Sequence, residues 1–165
     1  MNSLVAVGTL AAWAYSGSGD TKRALETLER LRGEASFDRF RDYHAGLILD
    51  IAGRKTDSTR RLKAAYDAEK TNLRLVDLWA RHQARAGDRD AALATLNEFE
   101  QRVRPNHPVV RDALAKVSAK EPLPRIVGNA QQGAAEVLYG LASAGILQGD
   151  EATAKYLTTL KPTDS

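Results

Sequence analysis

Three histidines, His44, His82 and His107, are the first side chains in this sequence that could hold a metal or move a proton. A two-histidine site on a helix needs a spacing of four, and these are too scattered for it. His44 follows Asp42 closely, which reads as a local surface pair. Gly17-Ser18-Gly19-Asp20-Thr21-Lys22 has the composition of a phosphate-cradling loop, but it lacks the Walker spacing and no strand precedes it. Asp88 and Asp90 are close carboxylates of the kind that share acid–base work. They fall at the start of a helical stretch, where the helix dipole favours acids. No Gly-x-Ser-x-Gly elbow occurs, and the chain has no cysteine, which excludes a thiol nucleophile, a disulfide and a thiolate metal site. The reading is of a protein that is not an enzyme and uses no cofactor.

Two basic groups could contact phosphate: Arg54, Lys55, Arg60, Arg61 and Lys63, and then Arg81, Arg85 and Arg89. Asp57, Asp67 and Glu69 dilute the first group, so it reads better as a solvated helix face. The 165 residues carry 24 basic and 21 acidic side chains, a net charge of +3, too balanced to imply nucleic acid by itself. A charged fraction of 27% with 43% apolar residues fits a folded chain. Alanine and leucine are abundant and there are only five prolines, which favours helices throughout. Leu4 to Ala14 is apolar and ends in Ala12-Trp13-Ala14, a pattern like a signal-peptidase site. Met1-Asn2-Ser3 carries no basic residue, however, and the run falls where a first helix is expected. No run approaches the ~20 apolar residues needed to span a bilayer, so no transmembrane segment is expected. Cytoplasm and periplasm stay equally open, because a cysteine-free chain suits either.

The elements that must position these side chains are repeated helix–turn–helix units. Gly19, Gly53 and Gly87 stand 34 residues apart. Each is followed by apolar residues at helical spacing: Ala24, Leu25 and Leu28; Leu62 and Ala65; Ala91, Ala92, Leu93, Leu96 and Phe99. Asp20 after the first glycine reads as the cap of the next helix. With the glycine as position fifteen, small residues recur at position eight (Ala12, Gly46, Ala80) and position twenty (Ala24, Ser58, Ala92). They let paired helices approach closely. Phe99 breaks the small-residue rule at position twenty-seven. One more step of 34 from Gly87 reaches Glu121, so the period fails there. Instead, Pro108 to Ala119 reads as an extra amphipathic helix with Val109, Val110, Ala113, Leu114 and Val117 on one face. Residues 125–129 read as an extended linker. Helical spacing resumes at Ala134, with Gly149-Asp150 as a fourth turn.

This period and residue pattern resemble the tetratricopeptide repeat family over nearly the whole chain, apart from the insert. The resemblance implies an all-α fold, a right-handed α-α superhelix of stacked hairpins with about nine helices. It forms a single domain over 1–165, with repeats at about 5–38, 39–72, 73–106 and 135–165, and an inserted helix and linker at about 107–134. GDTKRAL, FRDYHAG and AQQGAAEVLYGLASA also resemble stretches of longer tetratricopeptide repeat proteins of α-proteobacteria. That implies a bacterial source and further repeats on either side. Leu4 to Ala14 lacks a polar face, which fits either a segment of a longer array or a chain that self-associates through its exposed terminal helices.

In this family the first helices line a concave groove. Carried over, its residues are Thr9 and Trp13; Phe40, Tyr43, Leu47 and Asp50; Arg74, Asp77, Arg81 and Arg85; and Glu136, Tyr139 and Ser143. Aromatic and arginine side chains concentrate binding energy at interfaces, so the expected partner is a protein or peptide laid in the groove. The alternative for each residue is ordinary packing, should the extra helix or a neighbouring repeat fill the groove. Some family members clamp a terminal carboxylate with Lys and Asn at positions five and nine. Here those positions hold Thr9 and Trp13, Tyr43 and Leu47, and Asp77 and Arg81, so that clamp is absent. The expected function is a non-catalytic interaction scaffold. Its rivals are a nucleic-acid-binding repeat that uses the Arg/Lys faces, and a regulatory or assembly segment of a larger enzyme complex.

Overall fold

The computed structural model describes residues 3–31 and 35–147, and within them the chain is all-α. Eight helices follow one another: α1 (Ser3–Gly17), α2 (Thr21–Glu29), α3 (Ala35–Ile51), α4 (Lys55–Ala68), α5 (Leu73–Arg85), α6 (Arg89–Arg102), α7 (Pro108–Ser118) and α8 (Ala130–Leu147). The helix expected after Gly149-Asp150, and with it most of the fourth repeat, lies outside the described residues. Among the described residues no helix is long and apolar enough to cross a membrane.

The three spaced glycines are corners. Gly19, Gly53 and Gly87 have φ of +86°, +74° and +92°. A side chain in that left-handed region costs roughly 1–2 kcal/mol, which is why glycine stands there. At the first corner the Gly19 N–H bonds to the Ser16 carbonyl and the Asp20 N–H to Tyr15. At the third, Gly87 bonds to Ala84 and Asp88 to Gln83. This closes the last turn of one helix. The next residue then opens the following helix: the Asp20 carboxylate accepts from the Arg23 N–H at 3.0 Å, and that of Asp88 from Ala91 at 3.1 Å. The middle corner has Arg54 in that place, and it makes no side-chain cap.

Burial follows the same period. Ala12, Gly46 and Ala80 are buried, as are Ala24, Ser58 and Ala92, and Leu28, Leu62 and Leu96. Each set repeats at 34 residues and sits where small or apolar side chains were expected from the pattern. The chain is thus a helical repeat in both its corners and its buried positions.

The helices gather into two compact units, one drawn from Met1–Ala52 and Val127–Ser165, the other Gly53–Ile126. In the first, α1 and α2 form a hairpin, α3 packs on both, and α8 lies against α1 and α3. In the second, α5 and α6 form a hairpin, α4 packs on α5, and α7 packs on α6 and α5. The extra helix is present as α7, with Pro108 in its first turn and Val110, Ala113 and Val117 buried. Val109, expected on the same face, is exposed. Residues 121–129 are non-helical, as the linker reading requires.

Candidate functional site

In the first unit the groove residues converge on an aromatic cluster between α1 and α3. The Trp13 indole N–H donates to His44 Nδ1 at 3.0 Å. His44 also meets Phe40 and Tyr43 edge-on, at ring-centroid distances of 4.3 and 5.0 Å. The reading of His44 as a surface partner of Asp42 is corrected here: its ring is fully buried. The cause is local. Phe40, Tyr43 and His44 occupy one face of α3, and Trp13 reaches them from α1. Burial without a counter-charge pushes the His44 pKa down from 6.5 to about 3. The ring is therefore neutral near pH 7. Because Nδ1 accepts, the proton is on Nε2, and that buried nitrogen has no hydrogen-bond partner. A histidine so held is a structural group, far from the pKa that general acid–base work at neutral pH needs.

α8 lies across this cluster. Tyr43 donates its hydroxyl proton to Glu136 Oε2 at 2.7 Å. Gly133 sits so close to Trp13 that a Cβ there would stand 2.3 Å from the ring carbons. A Cβ at Gly140 would stand 3.4 Å from Phe40, and one at Gly17 would stand 3.1 Å from the Ala130 Cβ. Residues 130 and 133 thus meet α1 at 17 and 13, while 136 and 140 meet α3 at 43 and 40. The helix runs antiparallel to both. It starts at Asn129, whose side-chain oxygen accepts from the Gln132 N–H at 2.9 Å.

In the second unit, Asp77 and Arg81 form an ion pair on α5, with Nε to Oδ1 at 2.8 Å. Arg81 also donates through Nη1 to the carbonyl of Pro124 at 3.3 Å. The extended segment after α7 is thereby held to the helix, and its Leu123 is buried. Trp79 stacks between Tyr66 and His82, and His82 Nε2 lies 2.7 Å from the Thr59 hydroxyl. Burial is the main cause raising the Tyr66 pKa.

Of the residues assigned to the groove, Trp13, Phe40, Tyr43 and Glu136 are brought together, and so are Asp77 and Arg81. Thr9, Leu47 and Asp50 are buried in the first unit, and Thr9 bonds to its own helix at the Val5 carbonyl, 2.7 Å away. Arg74 is half-buried, and Arg85 and Tyr139 are exposed. The Ser143 side chain lies outside the described ones. The residues missed are His44, Gly133 and Gly140. A signal for the glycines was present: they are seven apart on one helix face, with Glu136 between them.

The basic stretch of α4 is largely paired. Arg54 and Arg60 reach Asp57 at 2.7 and 3.4 Å, and Lys63 bonds to Asp67, which lowers the Asp67 pKa. No three of His, Asp and Glu converge as a metal site requires among the described residues. Comparison of the chain with family models, with curated proteins and with solved structures finds no match.

Proposed function

We propose that this chain is a non-catalytic scaffold of tetratricopeptide-like hairpins that binds a protein or peptide along the faces of its first helices. One observation carries the reading. The same faces already receive a helix in one unit and an extended segment in the other, both supplied by the chain itself. Helix and extended peptide are the two ligand forms such surfaces take. The aromatic cluster supplies shape and the Asp77–Arg81 pair supplies a backbone-carbonyl anchor.

The nucleic-acid alternative is weakened at α4, where Arg60 and Lys63 pair with Asp57 and Asp67, as does Arg54 just before the helix with Asp57. Affinity capture with the full chain tests the proposal through Arg85, the exposed groove position on α5. Arg85→Glu is expected to reduce partner recovery about ten-fold or more, the scale of an interface anchor. Arg60→Glu, on α4, should leave recovery unchanged. Equal recovery by both variants refutes the assignment. A steep loss of recovery with salt, sensitive to Arg60, would favour nucleic acid instead.

A further inference from the structure

We propose that the partner taken up along α5 is an acidic protein segment, held by a strip of arginines formed by Arg74 and Arg85 with Arg125 beside them. This rests on the reading of that helix face as a ligand surface.

The charge of the chain is unevenly divided. Gly53–Ile126 carries 16 Lys and Arg against 10 Asp and Glu, a surplus of six positive charges, whereas the other unit carries 8 against 11. The net +3 of the whole chain hides this division. Ion pairs within the second unit cannot cancel its surplus. Asp57 is shared by Arg54 and Arg60, and Asp67 by Lys63 and Lys70, so four cations rest on two acids. A surface with an excess of one sign draws in the opposite sign and rejects its own.

On α5 this excess meets the ligand face. Residues 75–80 and 82 are buried, Asp77 among them. Every charged side chain of the helix that keeps some exposure is an arginine: Arg74, Arg81 and Arg85. Spacings of seven and four put them on one stripe, about 16 Å long at the rise of a helix. The one acid of α5, Asp77, is engaged by Arg81 Nε at 2.8 Å. Arg81 therefore adds no net charge and acts as a positioning residue. Its Nη1 holds the Pro124 carbonyl, which brings the next residue, the exposed Arg125, to the same helix. Arg74, Arg85 and Arg125 each interact within the fold, but the surplus of the unit persists whichever groups they meet. A guanidinium offers paired donors that match a carboxylate, so acidic side chains are the chemistry this strip recognises.

A protein segment suits the strip better than a nucleic acid. Arg81 already binds a peptide carbonyl there. Asp57 and Asp67 stand among the cations of α4 and would repel an unbroken run of phosphates. A peptide can set its acids opposite the arginines and neutral residues elsewhere.

The test uses the full chain and a fluorescent peptide of alternating Glu and Ser with an amidated C-terminus. About twelve residues are ample to span the strip at ~3.3 Å per extended residue. The same peptide with Gln for Glu should bind at least about ten-fold more weakly. Raising salt from about 0.1 M to about 1 M shortens the screening length from about 10 Å to about 3 Å, and should weaken the Glu peptide about ten-fold or more. Arg85→Gln and Arg125→Gln, both at exposed positions, should each weaken it about five-fold. Arg60→Gln removes the same charge from α4 and should change affinity less than about two-fold. The proposal is overturned if the Glu peptide does not bind, if the Gln peptide binds as well, or if Arg60→Gln weakens binding as much as Arg85→Gln. It is also overturned if oligothymidylate of equal length binds more tightly than the Glu peptide, which would make the surplus a nucleic-acid surface. Failure here leaves the scaffold reading standing if captured partners are still lost from Arg85→Glu. Binding of the Glu peptide through the strip, with partner recovery indifferent to Arg85, supports the strip and removes the scaffold reading.

Discussion

Replacing Trp13 by alanine is expected to destabilise the first unit by about 3–5 kcal/mol, the range for deleting a large buried aromatic side chain. Three losses add up at this site. The indole is almost wholly buried, so its removal opens a cavity between α1, α3 and α8. Its N–H is the donor to His44 Nδ1, and that nitrogen would be left buried with no partner. The surface against which Gly133 makes its close approach would also disappear. Trp13→Phe separates these effects. It keeps most of the volume but loses the donor, and should cost about 1–3 kcal/mol. Urea unfolding followed by circular dichroism measures both. A Trp13→Ala chain within about 1 kcal/mol of the unaltered protein, far below the usual cost of such a deletion, would show that the cluster does not hold α1 to α3.

Acid should destabilise the protein well above the carboxylate range. In the unfolded chain His44 takes a proton near pH 6.5, whereas in the fold its pKa is about 3. As pH falls through this window the unfolded state binds the extra proton, so folding stability is lost. Stability from this group is complete above pH 6.5, declines by about 1.4 kcal/mol per pH unit, and stops declining below about pH 3. By pH 4.5 the expected loss is about 3 kcal/mol. Asp67 acts in the same direction, because its pKa is lowered in the fold, but only at the acid end of the range. Within the interval from pH 6.5 down to 4.5 the loss due to His44 proceeds without that of Asp67. His44→Gln keeps an oxygen that can accept the Trp13 N–H and removes the titration. Its stability should decline by about 3 kcal/mol less than that of the unaltered chain across that interval. If the variant and the unaltered chain decline in parallel, another group is responsible.

The local rules of the fold are legible in the sequence because they act over a few residues. A glycine with positive φ and an aspartate that caps the next helix need no distant partner, so Gly19-Asp20 and Gly87-Asp88 announce their corners directly. The small residues at 12, 24, 80 and 92 are legible for the same reason: they repeat at the spacing that two packed helices demand. His44 was not legible. A histidine beside an aspartate has the same local sequence whether it faces water or a tryptophan 31 residues away. The destination of α8 was hidden by a related ambiguity. Its spacing reads as the first helix of another hairpin, and α8 is indeed a helix. Periodicity reports which residues share a face, not which neighbour covers that face. Gly133 and Gly140 acquire meaning only against the rings of Trp13 and Phe40.

The contact between α8 and α1 is the claim on which the rest depends, and the absence of cysteine from the chain gives a direct measurement of it. The Cβ positions of residues 17 and 130 lie 3.1 Å apart, close to the spacing a disulfide bridges after a small adjustment. The double variant Gly17→Cys/Ala130→Cys, oxidised at low protein concentration, should form one intramolecular bond nearly quantitatively, seen as a loss of two mass units and both free thiols. Two thiols that stay reduced, or that link separate molecules, would contradict the placement of α8 against α1.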